Sequence, residues 1–211
     1  MVIKGMKAVF AVSLSIVLLL LSVQAVSNYP YLSLHINRYD SHQLVTWDHE
    51  FALREISAYL NGQREDLRFP SQPGGDDVLM TERGLLHMED VQVLYANGRI
   101  LAAFFTVTAA IAGVTLYDKK ELKSILKRLW MLPVSVTAFL TIAMLIDFGA
   151  AFRLFHELLF DNDLWILSIL DPLIVMLPRT FFFLTGVTIA VIYVALVGLV
   201  TWIGYKVHRE F

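Results

Sequence analysis

The chain has 211 residues, 57% hydrophobic and 17% charged, where an average soluble domain is roughly 45–50% apolar and about 25% charged, so a soluble globular fold and a disordered chain are both disfavoured. A formal net charge of −2 gives no basic field to collect polyanions, so a nucleic-acid partner is disfavoured and none is expected. There is no cysteine, so disulfides, thiolate metal sites and a cysteine nucleophile are absent, and any chemistry falls to other side chains.

Four stretches lack Asp, Glu, Lys and Arg and approach or exceed the ~20 apolar residues that cross a bilayer: 8–26, 100–117, 129–146 and 180–205. Lipid offers the backbone no hydrogen-bond partner, so each is expected to be a helix. The first also loosely fits a signal peptide, with Val23-Gln24-Ala25 as a small-x-small site. Its apolar core exceeds the usual 7–15 residues, and an uncleaved anchor is expected. The fold class that follows is an all-α membrane protein: four transmembrane helices with an outer-face, mainly helical cap. The segments are 1–26 (first span), 27–99 (extracytoplasmic cap), 100–117 (second span), 118–128 (cytoplasmic loop), 129–149 (third span), 150–179 (extracytoplasmic interfacial segment), 180–205 (fourth span) and 206–211 (cytoplasmic tail).

Lysine sets the expected orientation. An even number of spans puts both termini and the 118–128 loop on one face. That face holds every lysine: Lys4, Lys7, Lys119, Lys120, Lys123, Lys127 and Lys206. Arg128 and Arg209 join them, whereas the 147–179 loop carries only Arg153 and Arg179. The positive-inside rule makes the lysine face cytoplasmic, with Tyr117, Trp130, Trp202 and Tyr205 as an inner aromatic belt. The expected location is therefore a cell membrane, crossed several times, with both termini inside. Five of the six histidines (His35, His42, His49, His87 and His156) then face outward.

In the first outer segment, Leu44, Trp47, Phe51 and the Tyr59–Leu60 pair predict an amphipathic helix over 41–60, closed by Gly62. The stretches 67–69 and 78–80 flank a Pro-, Gly- and Asp-rich run and predict a small β-hairpin or a long turn. A second helix is expected from near Leu86 to Tyr95, with Asn97-Gly98 as its stop. In the second outer segment, 164–177 carries one charge, Asp171, and is too short to span. Asp171 reads as an N-cap with Pro172 at the first helical position, and Pro178 stops the helix. This element is expected in the outer interface, as a lipid-facing floor or a re-entrant segment.

His87 and Asp90 are three apart near a helix start, so they share a face, and a carboxylate there can fix an imidazole's tautomer. Taken alone, the pentapeptide is more simply a helix N-terminus with a solvated histidine. His156 falls near the outer end of the third span among Phe152, Phe155, Leu159 and Phe160, where desolvation demands a reason. A snorkelling interfacial histidine is the plainer account of it. With Asp161 it also matches the H-x4-D pattern of glycerolipid acyltransferases, but without their soluble α/β context. His42 and His49 are seven apart with no third ligand at fitting spacing. There is no H-E-x-x-H, G-x-S-x-G or phosphate-binding loop. Asp147 reads either as a cap or as facing the site.

Together, the HMEDV element before the second span and the FHELLF…NDLW…DPLIVMLPRTFF stretch before the fourth resemble the bacterial lipoprotein intramolecular transacylase family of four-span membrane proteins. Nearly the whole chain is covered. One departure is Ser168-Ile169-Leu170, where the family pattern is a more polar, acidic and proline-containing run. The resemblance implies His87 and His156 as the catalytic pair, with Asp90, Asp163, Trp165 and Asp171 in supporting or orienting positions and Pro178 as a further motif match. It implies an O-to-N acyltransferase. The enzyme moves the sn-2 acyl chain of a diacylglyceryl-modified lipoprotein onto its N-terminal cysteine amine, leaving a lyso-form product. The partners are then such lipoproteins and membrane lipid, with no cofactor and no metal. A second class of reading is an outer-face metal-binding protein using the five outward histidines. A third is a structural subunit of a membrane complex.

Overall fold

The computed structural model describes residues 2–34, 46–118 and 131–207, and all regular structure among them is helical. The helices are α1 (Val2–Ala25), α2 (Tyr29–Ser33), α3 (His49–Leu60), α4 (Glu82–Asp118), α5 (Met131–Ile146), α6 (Phe148–Leu159), α7 (Pro172–Met176) and α8 (Arg179–Val207). Three are long and apolar enough to cross a membrane: α1, α4 through Tyr117, and α8 through Gly204. The apolar α5, at 16 residues, begins beside residues that lie outside the described set. So do His35, His42, the lysines at 119, 120, 123 and 127, Trp130 and Arg209.

Helix ends follow local chemistry. Asn28, Asp48, Asp147 and Asp171 each accept a backbone N–H from the first turn of α2, α3, α6 and α7, respectively. Pro30 and Pro172 occupy first-turn positions, where a missing N–H costs nothing. Gly62, at φ 70°, closes α3 as the left-handed residue, and Gln63 N–H returns to the Ala58 carbonyl at 2.9 Å.

Of the two forms expected between Leu67 and Met80 the long turn is found: there is no strand, and one Leu79 N–H to Phe69 carbonyl bond (3.0 Å) closes it. Three expectations change. The helix expected over 41–60 begins at His49, where Asp48 supplies the cap and leaves Trp47 outside it; residues 41–45 lie outside the described set. The second outer helix starts at Glu82 and does not stop at Asn97-Gly98; α4 continues to Asp118. A glycine in a helix costs about 1 kcal/mol, whereas opening the backbone at the edge of hydrocarbon costs several, so the stop signal is overridden. Finally, α5 ends at Ile146, where an extended Asp147 (φ −150°, ψ 92°) starts a separate helix. Asp147 is a cap, and His156 belongs to α6, more than two turns beyond it.

The chain divides into two units. One comprises residues 1–23, 98–146 and 186–211. In it Phe10 packs with Ala112 and Leu116, and Leu18 packs with Tyr193 and Val197. Gly113 admits the Phe10 ring, since a Cβ there would lie 3.1 Å from it. Small residues that permit such close approach are a feature of helix packing in lipid. The hydroxyls of Ser22, Thr106, Thr108, Thr115 and Thr201 fold back onto carbonyls four residues earlier, which hides their polarity. Outward lie apolar side chains such as Phe104, Ile111, Phe139 and Val191.

The other unit comprises residues 24–97 and 147–185. Its core joins one face of α3 (Ala52, Leu53, Ile56, Tyr59 and Leu60) to Leu85 and Met88 of α4 and to Leu173, Met176 and Phe181. The 3.6-residue period of α3 accounts for that face. Leu158, Ile169 and Leu170 of this unit stay 75–82% exposed.

Candidate active site

His87 stands in the second turn of α4, flanked by the core residues Leu85 and Met88. Thr81 caps that helix: its hydroxyl accepts the Gly84 N–H at 3.0 Å and its carbonyl the Leu85 N–H at 2.9 Å. His156 lies in the last turn of α6, on the one buried side of an otherwise exposed helix end. The two imidazoles come together with ring centroids 6.0 Å apart and a tilt of 40°. They are 8% and 7% exposed, respectively.

Aromatic rings surround the pair. Phe152 is 4.1 Å, Trp165 4.8 Å, Phe155 5.3 Å and Phe160 5.8 Å from His156, centroid to centroid. Phe160 also meets His87 edge-on at 5.4 Å. This wall removes water and disfavours imidazolium. Burial, with His156 beside it, pushes His87 down to about 4 against the opposing pull of Asp90 and Asp171. Burial lowers His156 as well, with its bond to the Phe152 carbonyl acting the other way. Both rings are neutral at pH 7.

Hydrogen bonding distinguishes the two. His156 Nδ1 lies 2.7 Å from the Phe152 carbonyl oxygen, which can only accept. Nδ1 therefore carries the hydrogen and Nε2 the lone pair. His87 Nδ1 is buried with no hydrogen-bond partner among the described residues. A buried polar nitrogen left so costs free energy that a ligand group can recover.

The other sequence candidates form the frame. Asp90 does not hydrogen-bond His87; its Oδ2 takes Asn162 Nδ2 at 2.9 Å. Asp163 pairs with Arg83 at 3.2 Å. Trp165 donates its indole N–H to the Asn162 carbonyl at 3.0 Å and lies against His156 with its plane tilted by 31°. Asp171 is buried, accepts the Leu173 N–H at 2.9 Å and takes the Thr81 hydroxyl as well. One carboxylate thus ties the start of α7 to the start of α4. Gly84 makes room for it, since a Cβ there would meet Thr81 Oγ1 at 3.1 Å and Asp171 Oδ1 at 3.4 Å. His49 stacks on Trp47. Among the described residues, no group of three or more His, Asp or Glu side chains is placed to hold a metal ion.

Sequence reasoning missed Arg83, Asn162, Thr81 and Gly84. Arg83 lies four residues before His87 on the same helical stripe, and that spacing was the available signal. Thr81 carried the signal of a helix start, an N-cap threonine followed by Glu82 in the first turn, four residues ahead of the one expected, and nothing in the sequence marked Gly84.

A family model described as lipoprotein intramolecular transacylase Lit matches residues 8–182. Among solved structures, the membrane integral lipoprotein intramolecular transacylase Lit from Bacillus cereus is similar at 23% identity and a TM-score of 0.76, over 99% of this chain and 95% of that one. A histidine-to-arginine variant of the same protein matches at 24% identity and a TM-score of 0.78, over 99% and 94%. A histidine-to-alanine variant matches at 22% identity and a TM-score of 0.73, over 99% and 93%. These likenesses establish an integral-membrane fold. No curated protein sequence matches the chain.

Proposed function

Because the chain belongs to the lipoprotein intramolecular transacylase family, and is thus an acyltransferase acting on lipoproteins, we propose that His156 and His87 carry the transfer. Family membership disfavours the metal-binding and structural-subunit readings. The observation that carries the assignment is the buried pair itself: two neutral, facing imidazoles, one with its tautomer fixed by the Phe152 carbonyl.

In this reading the substrate is a lipoprotein with a diacylglyceryl group on its N-terminal cysteine. The α-amine, with a pKa of about 8 when free, attacks the sn-2 ester carbonyl. His156 Nε2 takes the proton that the amine loses. The His87 N–H donates to the oxyanion as the tetrahedral centre forms. The carbonyl–glycerol oxygen bond then breaks, His156 passes the proton it took from the amine to the glycerol oxygen, and an amide, a free hydroxyl and a neutral His156 remain. Amine and ester belong to one molecule, so holding them together converts the step into a ring closure, with effective molarity contributing several kcal/mol. No acyl-enzyme is required, in keeping with a chain that lacks cysteine.

An intramolecular shift has a specific signature. A lipopeptide incubated with the protein is expected to keep its total mass, while its amine becomes blocked and one acyl group becomes resistant to mild alkali. Fragment-ion mass spectrometry reads all three. A gain of one acyl mass signifies an intermolecular N-acyltransferase and a loss signifies a lipase; either overturns the reading.

The site is taken to face outward, since every lysine of the sequence falls on the opposite side of a four-span arrangement. Single cysteines replacing Gly5 and Asp76, both exposed, test this. In intact cells an impermeant maleimide is expected to label Asp76→Cys and spare Gly5→Cys. The reverse pattern inverts the orientation.

A further inference from the structure

Trp165 lies on an irregular stretch, residues 160–171, between α6 and α7, yet its indole is held against His156 with centroids 4.8 Å apart and planes 31° apart. A loop does not place a side chain this way unaided. Some bonds are internal: Leu164 N–H to Asn162 Oδ1 at 3.0 Å, and Ile166 N–H to the Asp163 carbonyl at 3.0 Å. The others come from α4. Arg83 Nε donates to the Ile166 carbonyl at 3.1 Å, and its Nη2 donates to the Asp163 carbonyl and pairs with the Asp163 carboxylate. Asp90 Oδ2 accepts Asn162 Nδ2 at 2.9 Å.

Arg83, His87 and Asp90 stand at i, i+4 and i+7, which is one stripe of a helix. The stripe therefore carries a histidine with a loop-holding group a turn to either side. We infer that Arg83, with the Asp90–Asn162 bond, is a positioning residue that clamps the 162–166 loop over the histidine pair and so sets the Trp165–His156 contact. This rests on the two-histidine reading of the site.

The ion pair is not the main element of the clamp. The Arg83 and Asp163 side chains are 45% and 78% exposed, and such pairs contribute little. The guanidinium fork matters because it reaches two backbone carbonyls at once. A lysine has the charge but not the fork. The clamp affects chemistry through geometry, since a displacement on the order of 1 Å at a reacting centre can lower a rate by about 10²-fold. It also keeps water from His156. The titratable and charged groups acting on the pair are the two histidines, Asp90 on α4 and Asp171 at the start of α7. With the loop released, His156 moves back toward the ordinary histidine value, so the acid limb of activity moves to higher pH.

The test uses the full-length protein in detergent, with Arg83→Ala, Arg83→Lys and, as a control, Arg153→Ala on the exposed face of α6. Hydrogen exchange without substrate comes first. In both Arg83 variants the amides of Leu164 and Ile166 are expected to exchange at least about tenfold faster, with α3 unchanged. Kinetics on a lipopeptide come second. Arg83→Ala is expected to lower kcat roughly 10–100-fold with KM within about twofold, and to raise the pH of the acid limb. Arg83→Lys follows Arg83→Ala, and Arg153→Ala matches the parent. Unchanged exchange in Arg83→Ala overturns the clamp whatever the activity. Faster exchange with unchanged kcat and pH profile overturns the positioning role. A parent protein that fails the constant-mass test overturns the function and leaves the exchange result standing.

Discussion

Replacing His156 or His87 by alanine is expected to reduce acyl transfer by about 10²–10⁴-fold each, while the protein still accumulates in the membrane. His156→Ala removes the one imidazole whose bare nitrogen is defined by a carbonyl at 2.7 Å. His87→Ala removes the buried ring whose Nδ1 has no partner among the described residues. The two act on one transition state, so the double variant is expected to lose little beyond the worse single one. A single-turnover assay with a lipopeptide measures both, and near-parental turnover in either variant ends the two-histidine scheme. The parent's pH dependence follows from the same burial. His87 is pushed down to about 4 and His156 is lowered as well. The acid limb that the histidines impose on kcat should therefore lie below the ordinary histidine value of about 6.5, while kcat/KM also falls as the free substrate amine protonates near about 8. Stability has the matching sign. Below about pH 6.5 the unfolded chain binds protons that the folded pair refuses, so stability falls as pH drops toward 4 and is indifferent to these groups above 6.5.

Ile56→Ala is expected to cost about 2–5 kcal/mol. Ile56 is 0% exposed in the core that includes Leu85 and Met88, the residues beside His87 on α4. Removing it leaves a cavity in that core that rigid neighbours fill only in part. Scanning fluorimetry in detergent should show a Tm lower by on the order of 10 °C. Leu158→Ala, at a 75% exposed position, serves as the comparison and should barely move it. An Ile56→Ala Tm within 2 °C of the parent would remove this core as the support of the site.

The apolar helices were legible because their signal is local. The two histidines, read alone as a solvated and a snorkelling residue, were paired only by the family resemblance, and both are in fact buried. A bilayer demands about 20 apolar residues in a row, and a histidine in an apolar context stands out by composition. Asp171 and Pro172 were read correctly for the same reason: a cap acts on the next two or three residues, and Asp171 does cap Leu173. What failed were boundaries set by competition. Asn97-Gly98 is a genuine stop signal, outweighed by the cost of an open backbone at the edge of the apolar run. Asp147 looked ambiguous because capping and facing a site both call for a carboxylate, and only its bond to Ala150 N–H decides. Asp90 was expected to orient His87, but its partner is Asn162, 72 residues away. Arg83 was marked only by its spacing from His87, because its acceptors include main-chain carbonyls, which every sequence supplies.

The exposed Leu158, Ile169 and Leu170 belong to the unit that carries both histidines. Water would penalise such a surface, and a monomeric protein dispersed in water rarely keeps one. The portion that holds the histidine pair thus presents apolar side chains of its own, apart from the long apolar helices. Cut free and expressed alone, it would carry its own reason to aggregate.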